Sequence, residues 1–239
     1  MRESAPQPPM INLKQLLLAA LCTTIFTPNY AQGGRTRLTN RFAIGGGLTQ
    51  FDILTDNFNT IKGEGWSISA SNTGDLTYKC YNISYGMQLS DNVLNVEGLQ
   101  FDNGNLRSTQ VEYNVLEAQL VLLFHFKVLP NILTLDFGPV AQFNSKLEMQ
   151  SFDEENLFVT TTDSKTILAK DLEDISQINF NAAVGATLGF KFIQFRAQYI
   201  HGFTNILNKL NDQDFNTGTG KSKFKGTQSM ALLSALIAF

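Results

Sequence analysis

The chain has 239 residues, of which 43% are hydrophobic and only 16% charged, and its mean hydropathy is −0.06. That hydropathy excludes a bundle of membrane helices but suits a barrel, where only one face of each strand meets lipid. The formal net charge of −3 and the lack of a Lys/Arg cluster exclude nucleic acid as an expected partner.

Residues 1–31 read as a signal peptide. Lys14 precedes an apolar run at 16–26, which is too short to span a bilayer and has the length of a signal core. Cleavage is expected after Ala31, although Asn29 fits the small-residue rule poorly, and Met10 offers an alternative start. Cys22 follows Leu21, where a lipidation signal wants Gly or Ala, so a lipid anchor is not expected there. Cys80 is then the single thiol, too few for a disulfide or a Cys-based metal site. Residues 32–40 form a short periplasmic lead.

Strands are expected from Arg41 onward. The first, 41–54, has Phe42, Ile44 and Leu48 on one face and Arg41, Ala43 and Thr49 on the other. Gly45-Gly46-Gly47 is followed by no Lys-Ser/Thr, so it reads as a sharply bent strand and not a phosphate loop. Phe51 and Ile53 fall on the opposite parity, which predicts a bulge. Residues 55–76 read as a long polar loop carrying a short alternation at Trp66, Ile68 and Ala70. A second strand at 77–89 and a third at 93–101 are joined by a turn at Ser90-Asp91-Asn92. A parity slip is expected near Gly98.

The fourth strand, 110–127, alternates Leu116, Ala118, Leu120, Leu122, Phe124 and Phe126 with Glu117, Gln119, His125 and Lys127. The fifth, 132–147, has the clearest period of two, with Leu133, Leu135 and Phe137 against Thr134, Asp136 and Gln142. The sixth and seventh, 179–192 and 193–206, place Phe180, Val184, Phe195 and Tyr199 outward and Lys191, Gln194, Arg196 and Gln198 inward. The last strand, 226–239, ends on Phe239, with Ile237, Ala235 and Leu233 at alternate positions before it. An apolar strand at the very end of a chain suits a ring in which the last strand pairs with the first.

The expected fold is therefore all-β: an eight-stranded antiparallel up-and-down transmembrane barrel over 41–239, in the outer membrane of a bacterium. Loops at 55–76, 149–175 and 207–225 are expected to face outward, with both termini in the periplasm. Phe124, Phe126, Phe190, Phe192, Phe195 and Phe239 are expected at the periplasmic rim, and Tyr81, Phe143, Phe180 and Phe203 near the outer rim. Phe239, Ile237 and Leu233 form the expected signal for the barrel-assembly machinery.

The pattern Tyr81-x-x-x-Tyr85-Gly86-x-x-Leu89, the Phe137-Gly138-Pro139 triplet, the Ala31-Gln32 junction and the run from Gln198 to Ile206 resemble the PorT-like outer-membrane β-barrel family of Bacteroidota. The resemblance covers the whole mature chain. It departs from the family where many members carry a Pro before the apolar stretch of the fourth strand; Leu116 occupies that region here. The resemblance implies the same barrel. The family's founding member is tied to protein secretion and gliding, a role that no residue here carries over.

An eight-stranded barrel is just wide enough for side chains to fill its interior. Arg41, Glu97, Glu117, Asp136 and Arg196 are expected to form a polar cluster there and to pair with one another, since an unpaired buried charge is costly. A narrow ion path through the same groups, or a component of a secretion or transport system, is the alternative. An enzyme needs a nucleophile, a base and an orienting acid together. With only His125 and His201 available, and no His-x-Ser pairing, no catalytic residue is expected, and a lipid-modifying enzyme is the least favoured reading. His201 is expected at the membrane interface. Asp153, Glu154 and Glu155 are consecutive and point in different directions, so no metal and no cofactor is expected. The expected partners are outer-membrane lipid, the assembly machinery and proteins that meet the outer loops.

Overall fold

The computed structural model describes residues 38–76, 79–102, 105–130, 132–150, 157–160, 166–190, 192–213 and 223–239. The expected signal peptide, Asp153 to Glu155 and Lys191 lie outside the described residues.

Eight strands hydrogen-bond in a closed antiparallel ring. They are β1 (Leu38–Thr55), β2 (Thr60–Leu76), β3 (Tyr81–Asp102), β4 (Asn105–Leu129), β5 (Leu133–Asn144), β9 (Ile178–Phe190), β10 (Ile193–Gly202) and β11 (Gly226–Ala238). Three short strands, β6 (Glu148–Met149), β7 (Leu157–Thr160) and β8 (Thr166–Leu168), occupy the connection between β5 and β9. β1 pairs with β11 from Ala43↔Ala238 to Thr55↔Gly226, so no ring strand is left with an open edge. The last residue joins the seam: the Phe239 N–H donates to the Phe42 carbonyl at 2.8 Å.

The outward face is an apolar band. Leu48 and Leu233 meet across the seam and are 73% and 67% exposed. Phe195, Val184, Leu135 and Leu120 continue the band around the ring. A monomer in water rarely exposes so large a contiguous apolar surface. The glycine run makes the seam possible. A Cβ on Gly45 would collide with the Ala235 carbonyl and one on Gly47 with the Leu233 carbonyl, whereas at Gly46 the nearest atom lies 3.2 Å away.

The count of eight agrees with the sequence, but two segments differ. Residues 60–76 are a ring strand and not a loop, so the first connection shrinks to 56–59. The odd positions of β2 face inward and read Ser67, Ser69, Ser71, Thr73 and Asp75; a strand lined with small polar groups has the composition of a loop. Residues 81–102 are one strand and not two. Ser90 and Asn92 are buried inside the ring, where Asn92 accepts a hydrogen bond from Thr49 at 2.6 Å. Turn-forming side chains here find lumen partners in place of local backbone. With β3 starting lower, Tyr81 moves to the opposite rim from the one expected and packs against Phe126 with ring centroids 6.3 Å apart.

The barrel thus has a turn end, which carries Phe239 and the β2–β3, β4–β5 and β9–β10 connections, and a loop end, which carries the other four. A bilayer needs about 9–11 residues of tilted strand. β3 and β4, with 22 and 25 residues, continue well past it as a hairpin. Among the described residues the loop end holds an apolar core. Phe51, Ile53, Leu94, Val96, Val111, Tyr113 and Val115 point inward from the ring and are buried. Leu157, Val159, Ile167, Leu172 and Ile175 cover them from the β5–β9 connection, and Ile206, Leu207, Leu210 and Phe224 from the β10–β11 connection. β7 pairs with β3 and β6 with β4, so the first of these segments bridges the mouth.

The Tyr113 hydroxyl donates to the Ala169 carbonyl at 2.7 Å. Burial, and then the Glu173 and Asp171 carboxylates, push that phenol above its ordinary pKa, so it stays a donor. Asn205 ties the second segment down: its amide donates to Phe224 O at 2.9 Å, and its oxygen accepts from the Gly226 N–H at 2.8 Å.

The bulge expected at Phe51 is absent, because β1 keeps one register with β11 over its whole paired length. The change of parity has another cause: the interior itself turns from polar to apolar at that height. Gly47→Val should obstruct the seam at a cost of about 1–3 kcal/mol or more. The folded fraction, read from heat-modifiable migration on gels, is expected to fall well below that of Gly46→Ala.

Candidate functional site

The described interior is layered. Nearest the turn end, five strands converge on Asp136. β4 presents His125 directly across from Asp136 on β5. His125 Nδ1 lies 2.6 Å from Asp136 Oδ1, and Ser84 Oγ on β3 lies 2.6 Å from His125 Nε2. A carboxylate only accepts, so Nδ1 carries the proton and, in the neutral ring, Nε2 accepts from Ser84. Thr134 donates to Asp136 Oδ1 at 2.7 Å, and Thr187 on β9 donates to Oδ2. Arg196 on β10 donates through Nε to Thr187 at 3.2 Å.

Ser84, His125 and Asp136 share the connectivity with which hydrolases activate a serine. Here, however, Ser84 is 2% exposed and does not border the adjoining cavity of about 80 Å³. That cavity is lined by His125, Thr187 and Arg196 together with Arg41, Asp75 and Lys127.

The middle layer surrounds Glu117 with amides. Gln119, Gln142 and Gln228 donate to its carboxylate at 3.1, 3.0 and 3.2 Å. Gln88 donates to Gln119 at 3.2 Å, extending the network to β3. Among the described residues no cation pairs with Glu117. The apolar cap closes the third layer.

Of the five expected cluster members, Glu117, Asp136 and Arg196 are buried in the lumen. Arg41 lies at the turn end, 3.9 Å from Asp75. Glu97 is not in the lumen: it is exposed and accepts a hydrogen bond from the Asn59 amide at 2.9 Å. Its misplacement follows from the turn expected at 90–92; with β3 continuous, residue 97 shares the outward parity of Tyr85. The expected mutual pairing of lumen charges is replaced by hydroxyl and amide contacts, with Asp75 serving both Arg41 and Lys127. Asp75, Ser84 and Thr187 were not singled out from the sequence. The Ser-x-Ser-x-Ser-x-Thr-x-Asp alternation from Ser67 to Asp75 is the signal that marks β2. His201 lies on the outward row, between Tyr199 and Phe203, with ring centroids at 6.3 and 5.9 Å.

No protein-family model and no curated protein sequence matches the chain. Solved structures do. Neisserial surface protein A is 8% identical, with a TM-score of 0.45, over 83% of this chain and 97% of that one. The fold itself is an eight-stranded antiparallel β-barrel. Ail, the attachment invasion locus protein of Yersinia pestis, is 10% identical with a TM-score of 0.41, over 84% of this chain and 99% of that one. The outer membrane protein OprG from Pseudomonas aeruginosa is 8% identical with a TM-score of 0.45, over 85% of this chain and 98% of that one.

Glu117→Gln replaces a carboxylate that accepts from three amides with a side chain that brings donors of its own. A destabilisation of about 1–3 kcal/mol is expected, measured as a lower urea midpoint for the barrel refolded in micelles.

Proposed function

We propose that this protein is a closed, non-enzymatic scaffold of the outer membrane, which presents a rigid loop end to partners. The observation that carries the reading is the filled interior: a hydrogen-bonded polar stack beneath an apolar cap, with buried Glu117 and Gln142 at mid-height and Val159 and Leu172 above them. The cap also makes the loop end a preorganised surface, and binding usually resides in loops held by a rigid scaffold. The enclosure of Ser84 supports a non-enzymatic role, since a nucleophile that is buried and lies outside the lining of the adjoining cavity is poorly placed to meet a substrate carbonyl. Membership of the PorT-like family is supported by sequence motifs alone: those of β3 and β5, the Ala31-Gln32 junction and the run from Gln198 to Ile206. Purified protein in planar bilayers should carry no steady current. A steady conductance whose ion selectivity changes in Glu117→Gln would establish a narrow pore instead.

Location and assembly are part of the same proposal. The apolar band supports residence in outer-membrane lipid, and the exposed row of Leu233, Ile237 and Phe239 supports recognition by the barrel-assembly machinery. Cell fractionation should find the mature chain in the outer membrane. Deleting Phe239 should lower the inserted fraction in cells while refolding of the purified chain in detergent changes much less. Equal insertion of both forms in cells would remove the assembly role.

A further inference from the structure

We propose that the cavity at the turn end binds a small monovalent carboxylate, gripped by the guanidinium of Arg196. Arg196 is 8% exposed and borders this cavity of about 80 Å³. Its Nε is committed to Thr187, but among the described residues nothing accepts from its terminal nitrogens, and it forms no salt bridge. A guanidinium carries five N–H donors and does not lose its charge. Its terminal nitrogens open on the cavity, where a ligand or water meets them and offsets the cost of enclosing the charge. One water needs roughly 10–15 Å³ of such space, so the cavity has room for a small organic ion.

The charges around the cavity select the ion. Arg41 and Lys127 also line it, but they share one carboxylate, Asp75, at 3.9 and 3.0 Å. Asp136 stands behind the wall, already engaged by His125, Thr134 and Thr187. Among the described residues three cations therefore face two carboxylates, and one positive charge is left over. A monoanion neutralises it, whereas a dianion would overshoot beside Asp75 and Asp136. The planar fork of the guanidinium matches the two oxygens of a carboxylate. Gln194 and Asn82 border the same space and supply amide donors; the Asn82 oxygen is already taken by the Leu76 N–H at 3.0 Å. Most lining residues point into the ring, with Ile132 of the β4–β5 turn exposed at its edge, so the ion is taken to arrive as a free solute at the turn end and not as a lipid headgroup. This inference does not depend on the scaffold reading, because a closed barrel and a pore could both hold the ion.

The test titrates the full chain, folded in detergent micelles, with sodium acetate by calorimetry. Sodium chloride and inorganic phosphate at matched ionic strength are the comparison ions. Saturable one-to-one acetate binding is expected, with chloride and phosphate about tenfold weaker or more. Arg196→Lys, which keeps the charge but removes the fork, should weaken acetate by about tenfold or more. If that variant does not fold, Asp75→Asn provides the second test: with one carboxylate neutralised, acetate should bind about threefold tighter or more. No saturable acetate binding, equal binding of chloride, unchanged affinity in folded Arg196→Lys, or unchanged affinity in Asp75→Asn would each overturn the proposal.

Discussion

Closure of the seam between β1 and β11 is the constraint on which the rest of the molecule depends. In lipid, no water meets an unpaired backbone group, so a spanning sheet is viable only as a ring. The ring is completed to its last residues: the Ala238 N–H donates to the Phe192 carbonyl on one side, and the Phe239 N–H to the Phe42 carbonyl on the other, both at 2.8 Å. The glycine run of β1 follows from the same demand. Side chains at Gly45 and Gly47 would stand where the β11 carbonyls must lie. The terminal aromatic, the glycine run and the absence of an edge are three aspects of one requirement.

Closing eight strands also fixes the width of the interior, and that width determines what the interior can contain. There is room for one side chain per strand at each level, so whatever enters must satisfy its neighbours directly. The protein does so mostly without ion pairs. Glu117 is held by amides, and Asp136 by an imidazole and two hydroxyls, with Arg196 one hydroxyl away. Neutral donors of this kind add hydrogen bonds without a second charge that must also be desolvated.

Much of this was legible in the sequence, and the misses share a cause. Period two was plain in β5, β9 and β10, where the outward row is mainly apolar and the inward row mainly polar or small. The inward row of β11 is itself largely apolar, with Met230, Leu232 and Leu236 buried beside Gln228 and Ser234. Period two failed in β2, whose lumen face is serine and glycine, and in the upper halves of β1, β3 and β4. There Phe51, Ile53, Leu94, Val96, Val111 and Tyr113 lie on the inward row. Hydrophobic parity inverts in all three strands at one height, where the interior passes from polar layers to the apolar cap. Read strand by strand, the inversion imitates bulges and turns; read across neighbours in register, it marks the boundary between two solvents. The Asn103-Gly104 pair between Asp102 and Asn105 was a further hairpin signal. The Asp136 network was only half legible: His125 and Asp136 shared the inward parity, but Ser84 and Thr187 became partners only through the register of β3 and β9.

The cap gives the molecule two thermodynamic regimes in one chain. Around the ring, apolar side chains pass from one hydrocarbon environment to another when the protein unfolds within a micelle, and little new surface meets water. In the cap, Phe224, Leu210, Ile206, Tyr113 and Leu172 are shielded from water by protein alone. Exposing them hydrates apolar surface and raises the heat capacity. The loop end therefore has the curved stability profile of a water-soluble domain, loosening in the cold as well as in heat. The ring beneath it is held mainly by strand pairing, whose strength varies less with temperature.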